Sequence, residues 1–144
     1  MRALLVFTIT FLAIGARADL LVPPTEPFVK SGAGKVEFSK NIKDQDATIR
    51  VIEANLRNLK TCYSRALKKN TQIEGTVLVK WEVAPNGKTK SAGFEEDLIK
   101  NWGMKKCLMR NFKTWIFPET SDGKVGTFLY SFEFRVREPA PPES

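Results

Sequence analysis

Two cysteines, Cys62 and Cys107, are the side chains best suited to covalent chemistry in a chain of 144 residues that contains no histidine. The absence of histidine removes the commonest general base and the commonest metal ligand. A redox centre would be better served by a Cys-x-x-Cys spacing, which these two residues lack. The acidic run Glu95-Glu96-Asp97 reads as the start of a helix, where carboxylates complement the macrodipole. Asp44-x-Asp46 lacks the further ligands of a calcium loop. There is no Gly-x-Ser-x-Gly elbow, no phosphate-binding glycine loop and no metal-ligand spacing. The sequence therefore points away from an enzyme and implies no cofactor and no metal.

What the cysteines do depends on the compartment. Arg2, an apolar run over 3–16 and then Ala16-Arg17-Ala18 form a short basic region, an apolar region and an Ala-x-Ala site. This is the pattern of a cleaved signal peptide over residues 1–18, and the run is short for a membrane span of about 20 residues. An uncleaved N-terminal anchor is the alternative. Export predicts a periplasmic or secreted protein starting at Asp19, with no integral membrane span after cleavage. In such a compartment a Cys62–Cys107 disulfide is the expectation, and two buried free thiols are the alternative.

Taking Arg2 and Arg17 from the 23 basic residues leaves 21 against 16 acidic ones, a net charge of +5. That modest excess, on an exported chain, argues against nucleic acid. It favours an acidic protein surface or an anionic envelope polymer. Lysines and arginines gather on two stretches, Arg50, Arg57, Lys60, Arg65, Lys68 and Lys69 on one and Lys100, Lys105, Lys106, Arg110 and Lys113 on the other. They could dock an anionic wall or lipid surface, though an ordinary solvated face explains them as well.

The elements that would position these residues follow from periodicity. Residues 19–45, with Pro23-Pro24, Pro27 and Ser31-Gly32-Ala33-Gly34, read as a flexible lead-in, with at most a short strand at Val36-Glu37-Phe38. Ile49, Ile52, Leu56, Leu59, Tyr63 and Leu67 fall at steps of three and four and predict a helix over 46–69, N-capped by Asp46. Val77, Val79, Trp81 and Val83 alternate with Leu78, Lys80 and Glu82, the pattern of a half-buried strand. Asn86-Gly87 predicts a type I′ hairpin turn, and lysine-rich 88–94 a protected edge strand. A second helix is expected over 98–113. Trp81, Trp102 and Trp115 are all expected in the core. The last strand spans 125–136, where Phe128, Tyr130, Phe132, Phe134 and Val136 alternate with Leu129, Ser131, Glu133 and Arg135. Residues 138–144 form a proline-rich tail expected to be disordered.

The order helix-strand-strand-helix-strand predicts an α+β, two-layer sandwich. Its three-stranded antiparallel sheet has the order 2-1-3, covered on one face by two helices. A Cys62–Cys107 bridge would tie those helices together. It closes a loop of about 45 residues, for which chain entropy estimates about 4 kcal/mol.

Cys62-Tyr63-x-x-x-Leu67, Gly75-Thr76-Val77, Asn86-Gly87, Cys107, Trp115-x-Phe117-Pro118 and Tyr130-x-Phe132-x-Phe134, in that order, resemble the TonB C-terminal-like superfamily. The paired cysteines make the chain most similar to the AgmX/PglI C-terminal domain branch, named from gliding-motility proteins. The resemblance covers 46–137. It implies a small periplasmic module that binds other proteins or cell-wall components and catalyses nothing, as part of an envelope or motility assembly. In such domains a sheet edge accepts a partner's strand. Here the free edge is expected on the last strand, with Leu129, Ser131, Glu133 and Arg135 selecting the partner. A second copy of the domain could also cover that edge. The expected lead-in of about 28 residues reaches roughly 90 Å at full extension, so docking rather than energy transduction is the expectation. The alternative is a binder of peptidoglycan or another anionic envelope polymer.

Overall fold

The computed structural model describes residues 26–137. The expected signal peptide over 1–18, the first part of the lead-in and the tail over 138–144 lie outside the described residues. The element order is β1 (Glu26–Phe38), α1 (Gln45–Leu67), β2 (Gly75–Val83), β3 (Thr89–Asp97), α2 (Trp102–Phe112) and β4 (Gly126–Arg137). A single 3₁₀ turn, Ser121–Gly123, precedes β4. The fold is α+β, with one antiparallel sheet in the order β1-β4-β2-β3.

The expected three strands are present in their expected relative order, β3-β2-β4. A fourth, β1, is added at the far side. This corrects two expectations at once. Residues 26–38 of the lead-in are a 13-residue strand, and β4 is interior, paired with β1 on one side and β2 on the other. The physical reason is the length of β4. Two neighbours are needed to satisfy both rows of its backbone groups, and the lead-in supplies the second. β1 does so in two pieces, with Glu26 to Ser31 opposite Arg137 to Phe132, and Val36 to Phe38 opposite Tyr130 to Phe128. Between them residues 32–35 oppose Ser131 alone, so β1 bulges outward there. That bulge breaks the alternation by which a strand is recognised.

The core lies between one face of the sheet and the two helices. Val77, Val79, Trp81 and Val83 from β2 meet Phe128, Tyr130, Phe132 and Phe134 from β4, all buried. The helices contribute Ile52, Leu59 and Tyr63 from α1, and Met104, Leu108 and Phe112 from α2. Trp81 is the centre of this layer. It stacks on Phe128 at 5.0 Å between ring centroids and on Trp115 at 5.7 Å, and meets Phe112 edge-on at 4.9 Å. Offset and T-shaped pairs of this kind contribute about 0.5–1.5 kcal/mol each beyond the area they bury.

α1 begins one residue earlier than its periodicity suggests, because Asp44 rather than Asp46 is the cap. Its carboxylate accepts the Ala47 amide at 2.8 Å. The buried Tyr63 hydroxyl donates to the Ile73 carbonyl at 2.6 Å and fixes the α1–β2 connection. The Cys62–Cys107 disulfide is formed and joins α1 to α2 with 5.7 Å between Cα atoms. Asn111 Nδ2 donates to the Cys107 carbonyl at 2.9 Å beside it.

The hairpin differs in detail from the type I′ expectation. Ala84 and Lys88 close a loop of Pro85, Asn86 and Gly87, with the Gly87 amide donating to the Ala84 carbonyl at 2.8 Å. Gly87 has a positive φ of 84°, and Asn86 does not. Pro85 locks the first central position near −65°, so a type I turn forms and Gly87 takes the left-handed position after it. The tip is then held from outside. Phe117 N donates to the Gly87 carbonyl at 2.8 Å, and Thr89 Oγ1 to the Trp115 carbonyl at 2.8 Å. A Cβ on Gly87 would stand 2.0 Å from the Phe117 carbonyl oxygen.

Candidate functional site

The residues expected to select a partner do not form an exposed row. Ser131 is buried, Leu129 and Glu133 are half-buried, and only Arg135 is exposed. Gly34, in the β1 bulge, lies so close that a Cβ there would be 3.3 Å from Ser131 Oγ. That hydroxyl has no hydrogen-bond partner. Arg135 leans over the Phe28 ring of β1 at 5.0 Å, and Arg137 over the same ring at 3.7 Å. β1 therefore covers the strand on which partner selection was expected, so an edge-pairing role for Leu129, Ser131, Glu133 and Arg135 is corrected.

The open edges of the sheet, among the described residues, are those of β1 and β3. β3 is the edge strand that its lysines suggested. Two register shifts against β2, at Leu78/Val79 and at Glu82/Val83, interrupt its regularity, a common protection of edge strands. β1 keeps an unbroken register from Glu26 to Ser31. Pro27 withholds one donor there, as prolines on edge strands do.

A cleft of about 180 Å³ opens between α1 and α2 next to the disulfide. Arg65 and Lys69 of α1 and Arg110 of α2 line it, with Asn101 and Gly103 at the start of α2. It concentrates positive charge from both basic stretches at one place, beside a helix N-terminus.

The segment leading into α2 corrects two further expectations. Glu95-Glu96-Asp97 belongs to the end of β3, not to a helix N-terminus. The helix starts at Trp102, capped by Asn101, whose Oδ1 accepts the Met104 amide at 2.9 Å. Asp97 closes the connection. Its Oδ1 accepts the amides of Ile99 and Lys100, both at 3.1 Å, and its Oδ2 pairs with Lys105 Nζ at 3.0 Å. Burial would raise the Asp97 pKa, but hydrogen bonds from Lys105 and the two amides, with the Lys105 charge, hold it below the usual carboxylate range. Lys105 also lies 5.0 Å from the centroid of the Phe94 ring. Trp102, the first residue of α2, stands two residues from Met104 and six from Leu108, about 200° and 240° around the helix at ~100° per residue, so it lies off the buried face. It is 77% exposed, whereas Trp81 and Trp115 are buried as expected. Leu98, 67% exposed, lies in the same connection. The signal for Trp102 lies in the spacing, since residues on one helix face recur at steps of three, four or seven and not of six.

Among the described residues no three His, Cys, Asp or Glu side chains are grouped so as to hold a metal ion. No helix there is long and apolar enough to cross a membrane. Compared with protein-family models, curated proteins and solved structures, the chain matches none.

Proposed function

We propose that this protein is a non-catalytic, exported interaction module of the cell envelope, built on the plan of a TonB C-terminal-like domain, that docks a partner protein by strand addition. The observation that carries the proposal is the regular outer edge of β1 over residues 26–31, which pairs with no strand among the described residues. Backbone groups on such an edge supply affinity, and alternate side chains supply choice. The disulfide supports an oxidising compartment. β1 thus takes the place that the sequence assigned to β4.

A photo-crosslinking residue at Lys30, exposed on β1, is expected to capture one stoichiometric envelope protein. The same residue at Lys90, exposed on β3, is expected to capture none. Equal capture at both positions, or recovery of wall fragments without protein, would sink the proposal.

The basic cleft between α1 and α2 favours a second reading, binding of peptidoglycan or another anionic envelope polymer. Salt separates the two. Binding led by lysine and arginine weakens steeply as ionic strength rises, whereas strand addition does not.

A further inference from the structure

We infer that the β3–α2 connection is a docking point for the surface of an anionic lipid bilayer, with Leu98 and Trp102 entering the interface and surrounding cations meeting the head groups. The argument begins with exposure. Leu98 and Trp102 are the two most exposed large apolar side chains among the described residues, at 67% and 77%. They stand four residues apart on one short connection.

Their exposure is not that of a loose loop. Leu98 N donates to the Thr76 carbonyl at 3.1 Å, and Ile99 packs on the core against Gly75. Asp97 ties down the next two amides, and Asn101 caps the helix. Lys100 adopts φ = 51°, a left-handed conformation that a residue with a Cβ rarely takes unless its surroundings impose it. A segment held this firmly presents its apolar side chains in fixed positions, so little ordering entropy is lost when they are buried.

The chemistry of the surroundings selects the occupant. Trp102 lies between Asn101 and Gly103, which line the cleft carrying Arg65, Lys69 and Arg110. Lys100 and Lys106 are exposed on either side in sequence. Lys105 is already engaged by Asp97, so the neighbouring carboxylate is neutralised locally. The other nearby acids in sequence, Glu95 and Glu96, belong to β3 rather than to the cleft. Tryptophan favours the head-group level of a bilayer, and flanking lysines and arginines reach outward to phosphates. Two apolar side chains are too few for the core of a stable protein interface, which buries about 800 Å² on each partner. They suffice for peripheral attachment when anionic lipids add to the binding.

The test uses the full chain and reads differences between variants, so that any contribution of the apolar N-terminal residues cancels. Sedimentation with phosphatidylcholine vesicles containing phosphatidylglycerol is expected to exceed that with phosphatidylcholine alone. Trp102→Ala is expected to weaken anionic-vesicle binding about tenfold. Lys106→Gln should weaken it about fivefold. Thermal melts of both variants should stay unchanged, since these side chains are exposed. Brominated lipid should quench tryptophan emission in the wild type, and Leu98→Ser should reduce the quenching. Vesicle binding that Trp102→Ala and Leu98→Ser leave intact would overturn the inference. So would Trp102-dependent dimerisation by sedimentation velocity without vesicles, which assigns the patch to a second copy. Protection of Trp102 from acrylamide by a soluble anionic polymer, with no binding to vesicles, would assign it to such a polymer instead.

Discussion

Replacing Gly87 by alanine tests how firmly the hairpin tip is fastened to the segment after α2. Two costs are separable. A left-handed φ of 84° costs a residue with a Cβ about 1–2 kcal/mol. Stiffening of the unfolded chain returns about 0.4–1 kcal/mol of that. The second cost is steric, because the new Cβ would lie 2.0 Å from the Phe117 carbonyl oxygen. Relief requires the two segments to part, which loses the Phe117–Gly87 hydrogen bond and the bond from the Thr89 hydroxyl to the Trp115 carbonyl. At about 1 kcal/mol for each hydrogen-bonded contact, the total comes to about 3 kcal/mol. Gly123 provides the control. It also has a positive φ, 60°, but a Cβ there meets nothing within 4 Å. Gly123→Ala should therefore show the dihedral cost alone, about 1 kcal/mol or less. Urea unfolding of the two variants, followed by circular dichroism, measures the difference at unchanged m-value. If Gly87→Ala is no more destabilising than Gly123→Ala, the contact with Phe117 does not fasten the tip and the reasoning fails.

Other perturbations have equally definite outcomes. Replacing both Cys62 and Cys107 by serine opens a loop with a sequence separation of 45 and should lower unfolding free energy by at most about 4 kcal/mol, measured in urea. Tyr63→Phe removes the hydroxyl bond to Ile73 and should cost about 1 kcal/mol in the same assay. Burial, helped by the Glu74 charge, pushes the Tyr63 pKa up to about 12. A folded pKa above the unfolded value of 10.0 gives a stabilisation fully present below pH 10 and lost as pH rises towards 12. An alkaline titration of stability should show this loss in the wild type and not in Tyr63→Phe. Deleting the chain through Phe38 uncovers one edge of the 12-residue β4 and should cause concentration-dependent association in sedimentation velocity. A monomeric product would show that β1 is not needed to cover that edge.

Much of the architecture was legible because its signals are local. The three-and-four spacing from Ile49 to Leu67 specifies α1, and strict alternation specifies β2 and β4. The two helices place Cys62 and Cys107 within bonding reach. What escaped has identifiable causes. In β1 the bulge at 32–35 inserts glycines and a lysine between its two paired stretches, which gives the composition of a loop. Only pairing with β4, about a hundred residues away in sequence, makes it a strand. The error propagated to the site, since omitting β1 left β4 with a free side. The start of α2 escaped for another reason. Leu98 to Lys100 have helix-compatible composition, but Asp97 accepts two of their amides and Asn101 restarts the chain as a cap. The exposure of Trp102 has a separate cause, its six-residue spacing from Leu108, which puts it off the buried face of α2. The basic stretches were legible, but their convergence on one cleft depends on how the disulfide sets the helices together.

The register of the sheet also determines how the domain hangs from the rest of its chain. Glu26 pairs with Arg137, so the two ends of the described domain leave it side by side. The rows Ser31–Phe132, Phe132–Val77 and Val77–Asp97 continue across the sheet, which puts Glu26 and Leu98 at the same end of it. At ~3.4 Å per residue, the nine residues over 17–25 span at most about 30 Å. If the apolar run over 3–16 remained in a bilayer, the domain would be held on a leash of that length. The attachment would then leave from the end of the sheet that carries Leu98, opposite the hairpin tip at Gly87. Strand register would thus set which end can approach the membrane, before any side chain touched a lipid.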